Sequence, residues 1–244
     1  MLEKLQSEWR AEHMIRSYDV DPQMIARLPV LCRFMQEAAY FHAEHLGVGY
    51  SHLTPNSMAW VLARMRIEIE RLPKWGETVT LRTWPSDRDR LFYYRDFEIT
   101  DGDGMLLLLA STAWFVIDSE KRERIQPDWW QSQEYPFSPK VFSAKLSRLK
   151  SCNCETGELT TVNYGDLDQN GHVNNVRYIE WMLNSLPLEF HQAHVLRFLE
   201  VNYLAEAVCG HSVSICTSET SSCHFNHGIM ADGVDLFRAE SVWK

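Results

Sequence analysis

Apolar and polar residues recur with two different periods along this chain, and the changes of period mark out its elements. Residues 12–18 read as a short strand that ends at Asp19-Val20-Asp21-Pro22. A helical pattern follows over 29–46, carried by Leu31, Phe34, Met35, Ala38, Ala39, Phe41 and Leu46, with Gly47 placed to close it. These positions cover more than one narrow stripe, as expected of a helix buried on several sides. Strand-like runs occupy 58–72, 77–84, 91–100 and 105–117, separated by turns at Lys74-Trp75-Gly76 and Asp101-Gly102-Asp103-Gly104. Residues 128–150 contain Pro136 and Pro139, the aromatics Trp129, Trp130 and Tyr135, and a basic end, and read as a linker that partly packs on the body. The same order then returns: a strand over 159–164, a helix over 173–186 stopped by Pro187, and strands over 195–203, 212–216, 223–230 and 236–243.

This recurrence is an internal repeat. Asp19-Val20-Asp21 matches Asp166-Leu167-Asp168 at an offset of 147 (168 − 21). Gly76 matches Gly210 at 134 (210 − 76), and Trp114 matches Trp243 at 129 (243 − 114). The three matches fall in the same order, so the chain reads as two copies of a strand–helix–four-strand unit. A sheet wrapped on one apolar helix exposes its edges, and pairing two copies removes that liability. The fold class is therefore α+β, with antiparallel sheets and segregated helices. The domains expected are 1–130, a linker over 131–150, and 151–244.

The copies differ in chemistry. From Asp168 to Asn175 nearly every residue of the second copy is polar, and an apolar helical run follows at once. One reading is an over-capped helix start, since Asp168, Asn170, Asn174 or Asn175 can each accept from first-turn N–H groups. The other is a site, because a helix N-terminus suits a developing oxyanion and His172, Asp168 and Asn170 gather there. In the first copy Asn170 is matched by Gln23, His172 by Ile25 and Glu206 by Leu72, so only the second can hold such a site. The first copy, with its longer apolar helix, is suited to lining a hydrophobic pocket.

Composition narrows the classes. The formal charge of −9 argues against nucleic acid as main partner. No run approaches the roughly 18 apolar residues of a membrane-crossing helix, and the first residues lack a signal peptide's apolar core. Six cysteines, at 32, 152, 154, 209, 216 and 223, form no C-x-x-C pair, so free thiols in a reducing cytosol are expected. His191-x-x-His194 is a weak metal spacing, and no metal site is expected.

The run from Asp166 to Trp181, Asp-Leu-Asp-x-Asn-x-His-Val-Asn-Asn-x-x-Tyr-Ile-x-Trp, resembles the signature of the acyl-acyl-carrier-protein thioesterases. Leu199-Glu200-Val201-Asn202-Tyr203-Leu204-Ala205-Glu206 followed by Gly210 resembles that family's second motif, and the first half is similar as well. The resemblance covers nearly the whole chain. It implies a tandem, or double, hotdog fold, with the first domain as acyl pocket and the second carrying the catalytic set. The implied reaction is hydrolysis of the thioester between a fatty acyl chain and the phosphopantetheine arm of acyl carrier protein, without cofactor. Asp168, Asn170 and His172 match the family's Asp-x-Asn-x-His, and Glu206 matches the acid of the second motif. Glu206 is then the base for water or, less simply, a nucleophile. His172 shares the proton transfer, Asp168 orients Asn170 or His172, and Asn170 with helix-start N–H groups holds the oxyanion. Asn174, Asn175, Phe34, Phe41 and Trp60 are the substrate-binding candidates.

Two positions depart from the family. Plant members carry Cys directly after the motif Glu, where this chain has Ala207 and then Cys209, which puts a Cys–His–Asn mechanism in doubt. Gly171 stands where a larger residue is familiar. The implied partner is acyl carrier protein, which is acidic, so docking is expected on basic residues: Lys145, Arg148, Lys150 and Arg177. A homodimer stays open, as does a plastid-type stroma, after removal of a transit peptide, in place of the cytoplasm. The alternatives are an acyl-coenzyme A thioesterase, a 3-hydroxyacyl-thioester dehydratase of the same fold, and a non-catalytic acyl-binding protein.

Overall fold

A computed structural model describes residues 6–127, 137–152 and 157–244. Trp129, Trp130, Tyr135 and Pro136 of the expected linker, and Cys154, lie outside the described residues. The chain divides into two compact units: Met1–Ala63 with Glu70–Lys145, and Arg64–Ile69 with Leu146–Lys244.

The first unit contains β1 (Trp9–Met14), α1 (Leu28–His45), a one-turn helix α2 (Tyr50–Leu53), β2 (Met58–Ile69), β3 (Thr78–Arg88), β4 (Tyr93–Thr100), β5 (Leu106–Asp118) and β6 (Glu123–Ile125). Its strands run in the order β1-β3-β4-β5-β2, with β6 on β5. The register given for β1 with β3, β3 with β4 and β4 with β5 is antiparallel throughout. β1 ends earlier than the apolar pattern suggests. Asp19 accepts from the Arg16 N–H at 2.9 Å and draws residues 16–19 into a turn, out of the ladder. α1 has Pro29 in its first turn, where the missing N–H costs nothing, and ends before Gly47 at φ 73°. No side chain caps its start. Leu31, Met35, Ala38 and Ala39 are buried instead. Each fully buried large side chain contributes about 1.5–3 kcal/mol, more than the ~1 kcal/mol of a typical cap, so packing holds this helix.

The second unit contains β7 (Glu158–Thr161), α3 (Asn175–Asn184), α4 (Leu188–Ala193), β8 (Leu196–Tyr203), β9 (Ser212–Ser221), β10 (His224–Ala231) and β11 (Val234–Trp243). The tail of β2, Arg64–Glu68, pairs antiparallel with β8, and the order continues β11-β10-β9-β7. α3 packs on β9 and β10 through its buried residues Val176, Tyr178, Ile179, Trp181 and Met182. Pro187 does stop the helix, but as the N-cap residue of α4, which the sequence pattern did not show. β9 runs five residues beyond the apolar stretch (221 − 216), because its polar end is paired with β10 at the sheet's exposed rim.

Both units show the same hydrogen bonds at the repeat offsets. The Asp21 N–H donates to Ile25 O at 2.8 Å and the Asp168 N–H to His172 O at 2.7 Å. Arg27 N–H meets Asp19 O as Asn174 N–H meets Asp166 O, and Ala26 N–H meets Pro73 O as Val173 N–H meets Ala207 O. Met24 at φ 64° matches Gly171 at φ 78°, so both loops need a left-handed residue at this point. A copy of the same loop, with the same backbone bonds, therefore exists with and without the polar set.

Cys152, Cys209 and Cys223 are free thiols. Cys216 is disulfide-bonded, so the expectation of free cysteines throughout fails there.

Two histidines are sealed in the cores. In the first unit His42 is fully buried, with Nδ1 2.9 Å from Arg95 Nη1 and Nε2 3.0 Å from Gln6 O. In the second, His227 lies between Thr217 Oγ1 at 2.9 Å and Ser241 Oγ at 2.8 Å. Burial, joined for His42 by the charge of Arg95, lowers each from the ordinary 6.5 to about 4. The native state then binds fewer protons than the unfolded chain between those values. Stability should be full above pH 6.5 and fall as pH drops toward 4. Chemical denaturation across that range should show the fall, and His227→Gln should make it shallower than in the parent.

Candidate active site

The loop before α3 is built by its own carboxylates. Asp166 is 4% exposed; its Oδ2 accepts from the Asn163 N–H at 2.7 Å and its Oδ1 from Arg177 Nε at 2.8 Å. Asp168 Oδ1 accepts from the Asn170 N–H at 2.8 Å and the His172 N–H at 3.3 Å. Asp168 thus reaches the main chain of both residues it was expected to orient. Asp21 makes the matching pair in the first unit, with Gln23 N–H at 2.9 Å and Ile25 N–H at 3.0 Å. Asn174 Oδ1 accepts from Val176 N–H at 2.9 Å and is the cap of α3. Capping and site are therefore divided among different residues of one stretch.

The segment after β8 is stitched to this loop. Val173 N–H donates to Ala207 O at 2.9 Å, and His172 forms a β-bridge with Val208. The Ala207 N–H donates to the Tyr178 hydroxyl at 3.1 Å. These contacts set His172 Nε2 3.4 Å from Glu206 Oε2, an imidazole and a carboxylate 34 residues apart in sequence (206 − 172). Both remain open to solvent, with side chains 27% and 36% exposed. Asn170 stands exposed in the same loop. A His–carboxylate pair at a half-exposed rim can take a proton from water and return it to a leaving group.

The oxyanion donors are fewer than the sequence implied. The backbone N–H groups of Asn170, His172, Gly171, Val173 and Asn174 each already donate within the chain. Arg177 N–H donates to Asn174 O at 2.8 Å, and Val176 N–H is taken by the cap. Asn170, exposed in this loop, carries a side-chain amide that can also donate.

The remaining candidates are spread out. Asn175 opens α3 and its carbonyl accepts from the Tyr203 hydroxyl at 3.2 Å. Phe34, Phe41 and Trp60 belong to the first unit. Phe34 stacks on His13 at 4.1 Å, and Trp60 Nε1 donates to Val48 O at 2.8 Å. Phe41, read as core, is 47% exposed and stacks on Trp9 at 6.1 Å, because the helix turns Ala38, Ala39 and His42 inward instead.

Of the basic set, Lys145, Arg148 and Lys150 are exposed. The backbone between them is tied down: Leu149 N–H donates to Asn202 Oδ1 at 2.8 Å and Arg238 Nη1 to Leu149 O at 3.0 Å. Arg177 differs. Its guanidinium is held by Asp166 and Glu180, so its charge is compensated inside the chain. Ala207 is fully buried while Cys209 is exposed. Among the described residues no His/Cys/Asp/Glu group is arranged to hold a metal ion, and no helix is long and apolar enough to cross a membrane.

The chain matches the family models for the acyl-ACP thioesterase N-terminal domain over residues 6–131 and C-terminal domain over 150–244. It is 28% identical over 256 residues to an acyl-[acyl-carrier-protein] hydrolase of Cuphea viscosissima, covering 96% of this chain and 61% of that protein. It is 28% identical to a palmitoyl-acyl carrier protein thioesterase of Gossypium hirsutum, covering 94% of this chain and 62% of that one. The chain thus spans about three fifths of the length of these curated relatives. Among solved structures, an acyl-ACP thioesterase from Bacteroides thetaiotaomicron superposes with TM-score 0.91 at 28% identity, covering 98% of both chains. The 12:0-ACP thioesterase of Umbellularia californica shares the fold, with TM-score 0.88 at 23% identity and 98% of each chain covered.

Replacing Asp168 tests the loop itself. Asp168→Ala removes an acceptor shared by two N–H groups and should cost about 1–3 kcal/mol of stability. Asp168→Asn keeps an Oδ1 acceptor and should cost clearly less, as read from urea denaturation midpoints.

Proposed function

The chain belongs to the acyl-ACP thioesterase family and has the double hotdog fold, and on that premise we propose that it hydrolyses fatty acyl-acyl-carrier-protein thioesters to free fatty acid and holo carrier protein. The observation that carries this reading is the 3.4 Å approach of His172 Nε2 to Glu206 Oε2. A thioester is already activated, so a deprotonated water is a sufficient nucleophile.

In the proposed sequence Glu206, with His172 beside it, draws a proton from water as its oxygen bonds to the thioester carbon. The carbonyl electron pair moves to oxygen, and the Asn170 amide stabilises it by donating a hydrogen bond. As that pair returns, the carbon–sulfur bond breaks, and the proton that Glu206 drew from water passes through His172 to the departing thiolate, which restores the His172–Glu206 pair. Asp168 acts through the loop backbone. Lys145, Arg148 and Lys150 are proposed as the docking face for the acidic carrier protein, against the chain's net −9.

A thiol-release assay with acyl-carrier-protein and acyl-coenzyme A thioesters, run beside a dehydration assay on 3-hydroxyacyl substrates, tests the reaction class. Dehydration without thiol release would sink the hydrolase reading. Within that assay His172→Ala and Glu206→Ala should each lower turnover by at least roughly 100-fold, as loss of proton transfer does, with folding kept. Cys209→Ala should retain most activity, and its near-complete loss would revive a thiol mechanism.

Reversing the charges of Lys145, Arg148 and Lys150 should weaken turnover of carrier-protein thioesters while sparing coenzyme A esters. Raised salt should mimic that selective loss. Equal loss on both substrates would refute the docking role.

A further inference from the structure

Tyr178 sits in the apolar run of α3 and is the tyrosine of the signature run Asp166 to Trp181, where the sequence reading gives it no role. It is 2% exposed, and burial, with the charge of Asp168 adding to it, pushes its phenol up to about 12, so it stays protonated. Its hydroxyl oxygen accepts from the N–H of Ala207 at 3.1 Å. Ala207 is the residue directly after Glu206 and is fully buried. Its carbonyl is taken by Val173 N–H at 2.9 Å. Ala207, the residue that follows Glu206, is thus held at both its N–H and its carbonyl, by the helix through Tyr178 and by the His172 loop through Val173.

The first unit supplies a comparison. The offset of 147 continues into α1, where Val30 N–H meets Arg27 O as Arg177 N–H meets Asn174 O. Tyr178 is then matched by Leu31 (178 − 147), which has no hydroxyl. Ala207 is matched by Pro73 (207 − 134), which has no N–H to satisfy. Glu206 is matched by Leu72 (206 − 134). The donor, its acceptor and the carboxylate are present together in one unit and absent together from the other. A hydrogen bond needed only for folding would be expected wherever the scaffold recurs.

We propose that Tyr178 is a positioning residue for the reaction: its hydroxyl, by holding the Ala207 N–H, sets Glu206 within reach of His172. The inference rests on the role given to Glu206 above. It assigns no proton transfer to the phenol.

Tyr178→Phe removes the acceptor and leaves the ring. Its kcat on carrier-protein thioesters should fall about 10-fold, with KM unchanged within about 2-fold, since small misplacements of a reacting group act on the chemical step. In a Glu206→Gln background the same change should cause no further loss, because the two act as a unit. Amide hydrogen exchange at Ala207 should lose protection in Tyr178→Phe. The pair Tyr178→Leu with Ala207→Pro reproduces Leu31 and Pro73, leaves no buried donor without a partner, and should fold while keeping the low kcat. An equal fall in both backgrounds, a loss confined to KM, unchanged protection at Ala207, or full activity in the Leu–Pro pair would each overturn the proposal. If the parent chain releases no thiol from acyl-carrier-protein, the thioesterase reading fails, and Ala207 exchange together with the His172–Glu206 distance in a Tyr178→Phe crystal structure still decides the clamp.

Discussion

The short antiparallel contact between Val173 and Ala207 is the constraint on which the geometry of the second unit's candidate site depends. A main-chain bond of 2.9 Å, with the His172–Val208 bridge beside it, joins the loop ahead of α3 to the segment that follows β8. Side chains flanking such a bridge point the same way from neighbouring strands, and this turns a distant carboxylate toward the imidazole. The loop side of the contact is kept rigid by Asp166 and Asp168, which accept from their own backbone. Backbone bonds of this kind contribute about 1 kcal/mol each. Their value here is in fixing a distance that a free loop would not hold.

The duplicated scaffold separates what the loop needs to fold from what it needs to react. Asp19 and Asp21 make in the first unit the bonds that Asp166 and Asp168 make in the second. The carboxylate at Asp168 is therefore required by the loop whether or not any chemistry occurs there. Gly171 has the same explanation. The left-handed backbone it adopts is also adopted by Met24, at a conformational cost that glycine avoids. No atom lies within 4 Å of where a Cβ would sit on Gly171, so the glycine answers to backbone angle rather than to crowding.

Electrostatics in the second unit works by compensation near the loop and exposure away from it. Arg177 is surrounded by Asp166 and Glu180, which fixes the start of α3 and leaves its charge neutralised. The stretch ending at Lys150 shows the reverse. Buried Asn202 and half-buried Arg238 hold its backbone, while Arg148 and Lys150 are exposed. A tethered backbone with exposed cations presents charge at low entropic cost, which suits recognition of an acidic surface.

The sequence by itself determined the α+β class, the two copies, both long helices and most strands, because these follow from apolar periodicity and turn residues that act locally. It also contained the candidates Asp168, Asn170, His172 and Glu206, through the polar stretch, the mismatch with Gln23, Ile25 and Leu72, and a family resemblance. Which contacts each of them makes came from the folded chain alone. It showed that Asp168 and Asn174 serve the backbone, that Arg177 is already paired, that Phe41 is exposed, and that loop N–H groups are occupied. The short helix Leu188–Ala193 and the polar end of β9 were hidden for a related reason, since partners elsewhere in the chain hold them. Tyr178 stands in the signature run, yet its contact was not legible there. A tyrosine in an apolar run reads as core, and what sets it apart is one hydrogen bond to a residue 29 positions away (207 − 178), a contact that only folding creates.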